Sequence, residues 1–170
     1  IDPGQVKDIR QIPFLPISFF KQFEIKTGAW ASEVIFESSG TTLGNRSRHI
    51  LADLEFYQNL SVSAFELQYG PLQDYHILAL LPSYLEQGNS SLVAMVEHFI
   101  RKSGSDHSGF YLDNQEQLVN KMYALANSTG KMLLLGVSFA LLDLAEKIEF
   151  SGAPGMIVME TGGMKGRREE

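Results

Sequence analysis

Tyr75-His76-Ile77-Leu78-Ala79-Leu80-Leu81 and Lys131-Met132-Leu133-Leu134-Leu135-Gly136 are the two stretches that decide the fold. Both are short apolar runs without the polar alternation of a strand that has one wet face, so each is predicted to be a strand buried on both sides. Gly70-Pro71 ahead of the first run and Pro82 behind it mark its limits. Between the two runs lie helical patterns at 90–102 and 115–126, the second preceded by Asp113-Asn114 as its cap. A connection that holds helices is long enough for a crossover between parallel strands.

Working outward, Ser32 to Glu37 reads as another strand around Val34-Ile35-Phe36, and Met156 to Glu160 as a fourth. From Ser47 to Tyr69 apolar residues recur mostly at three and four, which predicts a helix of about six turns. Phe139 to Lys147 predicts a shorter helix. The order β, α, β, α, α, β, α, β predicts an α/β fold with three layers: a mostly parallel sheet with helices on both faces. Ahead of it, Pro3, Pro13 and Pro16 favour an extended segment, followed by a helical turn around Ser18 to Phe23. No repeat and no dividing linker is visible, so one domain is expected.

The chain has 170 residues, 44% of them hydrophobic and 20% charged, enough apolar surface for a core and unlike a disordered tail. A formal net charge of -6 opposes binding to a polyanion, so nucleic acid is not an expected partner. With no cysteine there is no disulfide, zinc thiolate, iron–sulfur cluster or thiol nucleophile, and a cytoplasmic location is the expectation. The longest apolar run, Met132 to Ala145, is broken by Gly136, Ser138 and Asp143 and falls short of the roughly 20 residues of a membrane span. The start, Ile1-Asp2-Pro3, carries no export signal and suggests a trimmed chain.

Ligands of open α/β sheets bind beyond the carboxyl ends of the strands, so the segments that follow the strands are the places to look for chemistry. The first runs from Glu37 through Ser38-Ser39-Gly40-Thr41-Thr42-Leu43-Gly44-Asn45 to Arg46-Ser47-Arg48. Its hydroxyls and glycines suit close approach to phosphate oxygens, and two arginines add charge. It lacks the spacing of a Walker A or dinucleotide motif, and a plain alternative is a polar loop in which Ser47 caps the following helix. The second, Leu81-Pro82-Ser83-Tyr84-Leu85-Glu86-Gln87-Gly88-Asn89, reads as a connector. The third, Glu160-Thr161-Gly162-Gly163-Met164-Lys165-Gly166, would let backbone approach a flat ligand. None of His49, His76, His98 and His107 has metal-ligand spacing. Gly136-Val137-Ser138-Phe139-Ala140 comes close to a nucleophile elbow, with Asp143 downstream. The last histidine, His107, precedes Ser138, so a Ser-acid-His order cannot be assembled, and Ser138 is read as a helix cap.

Taken together, these segments resemble the adenylate-forming superfamily, and most closely its acyl-protein synthetase branch, the fatty-acid-activating component of bacterial bioluminescence reductase systems. Ser38-Ser39-Gly40-Thr41-Thr42 is similar to the start of the superfamily's phosphate loop. Leu81-Pro82 with Tyr84 and Gly88 is similar to a second signature, and Glu160 to Gly166 to a stretch typical of the branch, as is Ile12-Pro13-Phe14-Leu15-Pro16 with Phe20-Lys21. The resemblance implies that a carboxylate attacks the α-phosphorus of ATP with loss of pyrophosphate, and that the acyl-adenylate passes its acyl group to a protein thiol. It further implies that Ser38, Ser39, Gly40, Thr41, Thr42 and Gly44 hold the phosphates and that Tyr84 lines a substrate pocket. Gly162 and Gly163 would approach adenine or the acyl group, and Mg2+ would accompany ATP. A fatty acid is the implied substrate, with an acyl reductase or carrier protein as partner.

The chain departs from that pattern at several points. Leu43 separates Thr42 from Gly44, and no lysine follows the loop, so Arg46 or Arg48 would supply the charge. Leu85 stands where many relatives carry histidine. The Tyr-Gly-x-Thr-Glu element, the ribose-binding aspartate and the C-terminal domain with its lysine have no counterpart in these 170 residues. The expectation is therefore a partial N-terminal domain of a larger ligase, inactive alone, and the alternative is a non-catalytic module that docks on an acyl reductase or carrier protein.

Overall fold

The computed structural model of the chain describes residues 3–38, 46–81 and 89–162. Its contacts gather into two compact units, Ile1–Ala52 and Asp53–Glu170. No proline- or glycine-rich linker marks the division, because it falls between a strand and the cap of the helix that follows.

In the first unit, short 3-10 turns at Pro3–Gln5 and Ile9–Gln11 lead to α1 (Phe19–Gln22), the helical turn expected there. Strand β1 (Val34–Glu37) then pairs antiparallel with β2 (Arg48–Leu51), in the register Val34 to Leu51 and Glu37 to Arg48. This corrects the reading of residues 47–69 as one helix. Ile50 and Leu51 continue the three-and-four spacing of the helix by coincidence, and cross-strand pairing with the β-branched Val34 and Ile35 outweighs it. Phe36 and Ile50 are buried. It follows that β1 forms a hairpin and not part of the parallel sheet.

The second unit opens with Asp53, whose carboxylate accepts the N–H of Phe56 at 2.8 Å and caps α2 (Leu54–Tyr69). Ser47 is therefore no cap. Gly70, at a φ of 87°, ends the helix where the sequence places the stop. Four strands follow: β3 (Tyr75–Leu80), β4 (Gly109–Phe110), β5 (Lys131–Val137) and β6 (Ile157–Thr161). They lie in the order β4-β3-β5-β6, all parallel, with α3 (Ser91–Ser103), α4 (Gln115–Leu125) and α5 (Ser138–Lys147) between them in sequence. The two apolar runs sit at the centre of the sheet, paired from Tyr75 with Lys131 to Leu80 with Gly136.

Helices cover both faces, and the alternation of side chains along a strand says which. Tyr75 faces the α2 and α3 side, where the Phe65 ring meets Tyr75 and Phe99 at centroid distances of 5.3 and 5.4 Å. On the opposite face Gly136 lies beneath Leu141 of α5, so close that a Cβ at Gly136 would fall 2.8 Å from the leucine Cγ. That missing methyl lets the strand pass into α5 without a connecting residue. Asn114, as the sequence suggests, caps α4 by accepting the N–H of Gln117 at 3.0 Å. Among the described residues no helix is long and apolar enough to cross a membrane.

Candidate functional site

Of the residues singled out in the sequence, Ser39, Gly40, Thr41, Thr42, Gly44, Tyr84 and Gly163 lie outside the described residues. The base of the first segment is described, and it is the hairpin. The N–H of Ser38 donates to the Ser47 carbonyl at 2.9 Å, and the Ser38 hydroxyl accepts the Ser47 N–H at 3.0 Å. Arg46 reaches the Glu37 carboxylate at 3.5 Å, and Arg48 stands across the ladder from the same residue. Arg46 thus sits against an acid, which offsets part of its charge.

Gly162 lies at the carboxyl end of β6 with a φ of 82°, a conformation that suits glycine as the strand turns. Its carbonyl is 3.3 Å from the Ser138 hydroxyl, and that hydroxyl donates to the Glu160 carboxylate as its nearer partner. The reading of Ser138 as a helix cap is corrected here. Val137 holds the capping position, and Ser138 is already in the first turn. The β5–β6 register, Gly136 to Glu160 and Val137 to Thr161, brings residues 138 and 160 side by side. Nothing in the local sequence of either residue announces the pair, which needs the register to be known.

Beside the pair opens a groove of about 590 Å³ between α5 and the sheet. Met122, Leu134, Leu141 and Val158 are among its walls, and of the described residues that line it only Ser138 and Glu160 are not apolar. Its volume is in the range of small-molecule pockets, and its make-up, an apolar trough with a few convergent polar groups, is the usual one.

A second polar cluster sits at the amino ends of β3 and β4. His76 Nδ1 and the Ser105 hydroxyl are 2.6 Å apart, Ser108 accepts the Ile77 N–H at 2.8 Å, and Ser103 meets Ser108 at 2.8 Å. The His107 ring stands edge-on to His76 at 5.3 Å. Burial, and then the charge of His107, hold His76 below the ordinary histidine range. This network satisfies polar groups at the α3–β4 junction, a structural task. Among the described residues no three His, Cys, Asp or Glu side chains gather as metal ligands.

The described residues thus hold two separate features, each within its own unit: the base of a hairpin tied by Ser38 and Ser47, and a serine–glutamate pair beside an apolar groove. Comparison with family models, curated proteins and solved structures returned no significant match.

Proposed function

We propose that the chain is part of a cytoplasmic ATP-dependent ligase that activates an aliphatic carboxylic acid, in the manner of the acyl-protein synthetases it resembles. The observation that carries this reading is the hairpin. The Ser38-to-Gly44 sequence that resembles a phosphate loop is carried by a β-hairpin whose base is tied by the paired Ser38 and Ser47 bonds. The composition of that stretch, rich in hydroxyls and glycines and followed in sequence by Arg46 and Arg48, suits polyphosphate. The apolar groove between α5 and the sheet adds a seat for the hydrocarbon chain of the acyl group once it is activated.

In the reaction a carboxylate oxygen attacks the α-phosphorus of ATP, the bond to the pyrophosphate oxygen breaks, and a mixed acyl–phosphate anhydride forms. ATP, with Mg2+, supplies the leaving group. The hairpin hydroxyls and arginines would hold and neutralise the departing phosphates, where most of the catalytic gain in such transfers arises. Acyl transfer to a thiol of a carrier or acyl reductase would complete the cycle, since this chain has no cysteine.

The test is carboxylate-dependent exchange of labelled pyrophosphate into ATP, run on this chain and on the full product of its gene with a panel of short to long fatty acids. Exchange that Thr41→Ala with Thr42→Ala abolishes is the expected result. Silence from both proteins across the panel overturns the ligase reading and leaves a non-catalytic docking module.

A further inference from the structure

We propose that Ser138 is an acyl-accepting nucleophile, with Glu160 as its general base and the groove beside them as the seat of an aliphatic acyl chain. The inference rests on the acyl-activating reading only for its natural donor, the acyl-adenylate.

Four observations converge on it. The Ser138 hydroxyl already donates to the Glu160 carboxylate, the bond through which a base takes the proton of a serine nucleophile. Ser138 stands where β5 turns directly into α5, the strand-to-helix corner that presents a nucleophile at the carboxyl edge of a sheet. No histidine is needed, because the carboxylate occupies the position that imidazole holds in the familiar triads. Finally, among the described residues Ser138 and Glu160 are the only polar side chains lining a groove that is otherwise apolar, so a hydrocarbon chain lying in it places its polar end at the pair.

The same geometry selects the ligand. A free fatty acid would set its carboxylate against that of Glu160, and two like charges at contact repel. A neutral acyl carbon with a good leaving group, as in a mixed anhydride, thioester or activated ester, meets no such penalty. In the step itself the Ser138 oxygen bonds to the acyl carbon while its proton passes to Glu160. The tetrahedral adduct then collapses, the bond from acyl carbon to leaving group breaks with its electron pair, and an acyl ester of Ser138 remains.

The test uses the full chain and p-nitrophenyl decanoate, which arrives already activated. Release of p-nitrophenolate, intact mass and peptide mapping are read for wild type, Ser138→Ala, Ser138→Cys and Glu160→Gln, with circular dichroism to verify folding. Wild type is expected to gain one decanoyl group at Ser138 that survives neutral hydroxylamine, and Ser138→Ala none. Glu160→Gln is expected to slow acylation about 100-fold, the low end of what a positioned base contributes. Ser138→Cys should form a thioester that neutral hydroxylamine removes, a change in linkage that a purely structural serine would not produce. A folded wild type without an adduct at Ser138, or acylation indifferent to Glu160→Gln, overturns the proposal. Acylation without pyrophosphate exchange would retain Ser138 and remove only the adenylate donor, whereas exchange without acylation would retain the ligase and remove Ser138.

Discussion

The imidazole of His76 fills the space that a side chain at Gly130 would need, for a Cβ there would lie 2.4 Å from its Nε2. The ring cannot step aside cheaply, because its Nδ1 is engaged by Ser105 and its edge by His107. Gly130→Ala is therefore expected to destabilise the second unit by about 1–3 kcal/mol, the usual cost of overpacking. Urea unfolding of wild type, both single variants and the pair Gly130→Ala with His76→Ala measures the coupling. If alanine costs as much at position 130 in the absence of the imidazole, the steric account fails.

Stability should fall on the acid side of neutrality. His76 and His98 are both held below 6.5, each chiefly by burial, and the charges of Arg101 and Lys102 add to the effect at His98 while Glu55 opposes it. For a depressed histidine the unfolded chain takes up protons that the folded one refuses. The stabilisation is thus complete above about 6.5 and lost as pH falls below it toward the lowered folded-state values. Urea midpoints at pH 7.5 and 5.5 read this directly. The drop should shrink in His76→Gln combined with His98→Leu, and an undiminished drop would assign it to other groups.

His98 also carries a buried Nε2 with no hydrogen-bond partner among the described residues. Leucine at that position removes an unsatisfied polar atom and keeps comparable bulk, so His98→Leu is expected to stabilise by about 1 kcal/mol at pH 7.5. A lower thermal midpoint for the variant would mean that the imidazole makes a favourable contact outweighing its orphaned nitrogen.

The start of α2 gives a comparison between the observed cap, Asp53, and the cap expected from the sequence, Ser47. Asp53→Ala should cost about 1 kcal/mol, since it removes the acceptor of the Phe56 N–H. Ser47→Ala should cost far less, because the bonds between Ser47 and Ser38 use the backbone of Ser47, with Ser38 supplying the hydroxyl. Chemical denaturation that ranked these two the other way would restore the longer helix.

The sheet was legible in the sequence because β3 and β5 are unbroken apolar runs, and buried parallel strands have few other signatures. The same holds for β6 and the caps Asn114 and Gly70, where the local chemistry is explicit. Strand β2 was not legible, since Ile50 and Leu51 fit the spacing of a helix as well as that of a strand and only the partner decides. Strand β4, two residues long, exists only because β3 offers it an edge. The pairing of Ser138 with Glu160 depends on the same kind of non-local fact, as the two are 22 positions apart and meet through strand register.

The two ladders differ in how far along the chain they reach, and this governs how the protein is assembled in time. Val34 finds Leu51 only 17 positions away, whereas Tyr75 must find Lys131, 56 positions away, across a crossover that holds α3 and α4. A hairpin of the first kind closes in about 1–10 μs. The central ladder, like other long-range parallel pairings, forms much later. In the interval the runs Ile77 to Leu81 and Met132 to Leu135 are uncharged, rich in leucine and without partners, which makes them prone to pair with their counterparts on other molecules. Protein concentration during refolding then decides how much of the chain returns to its native fold.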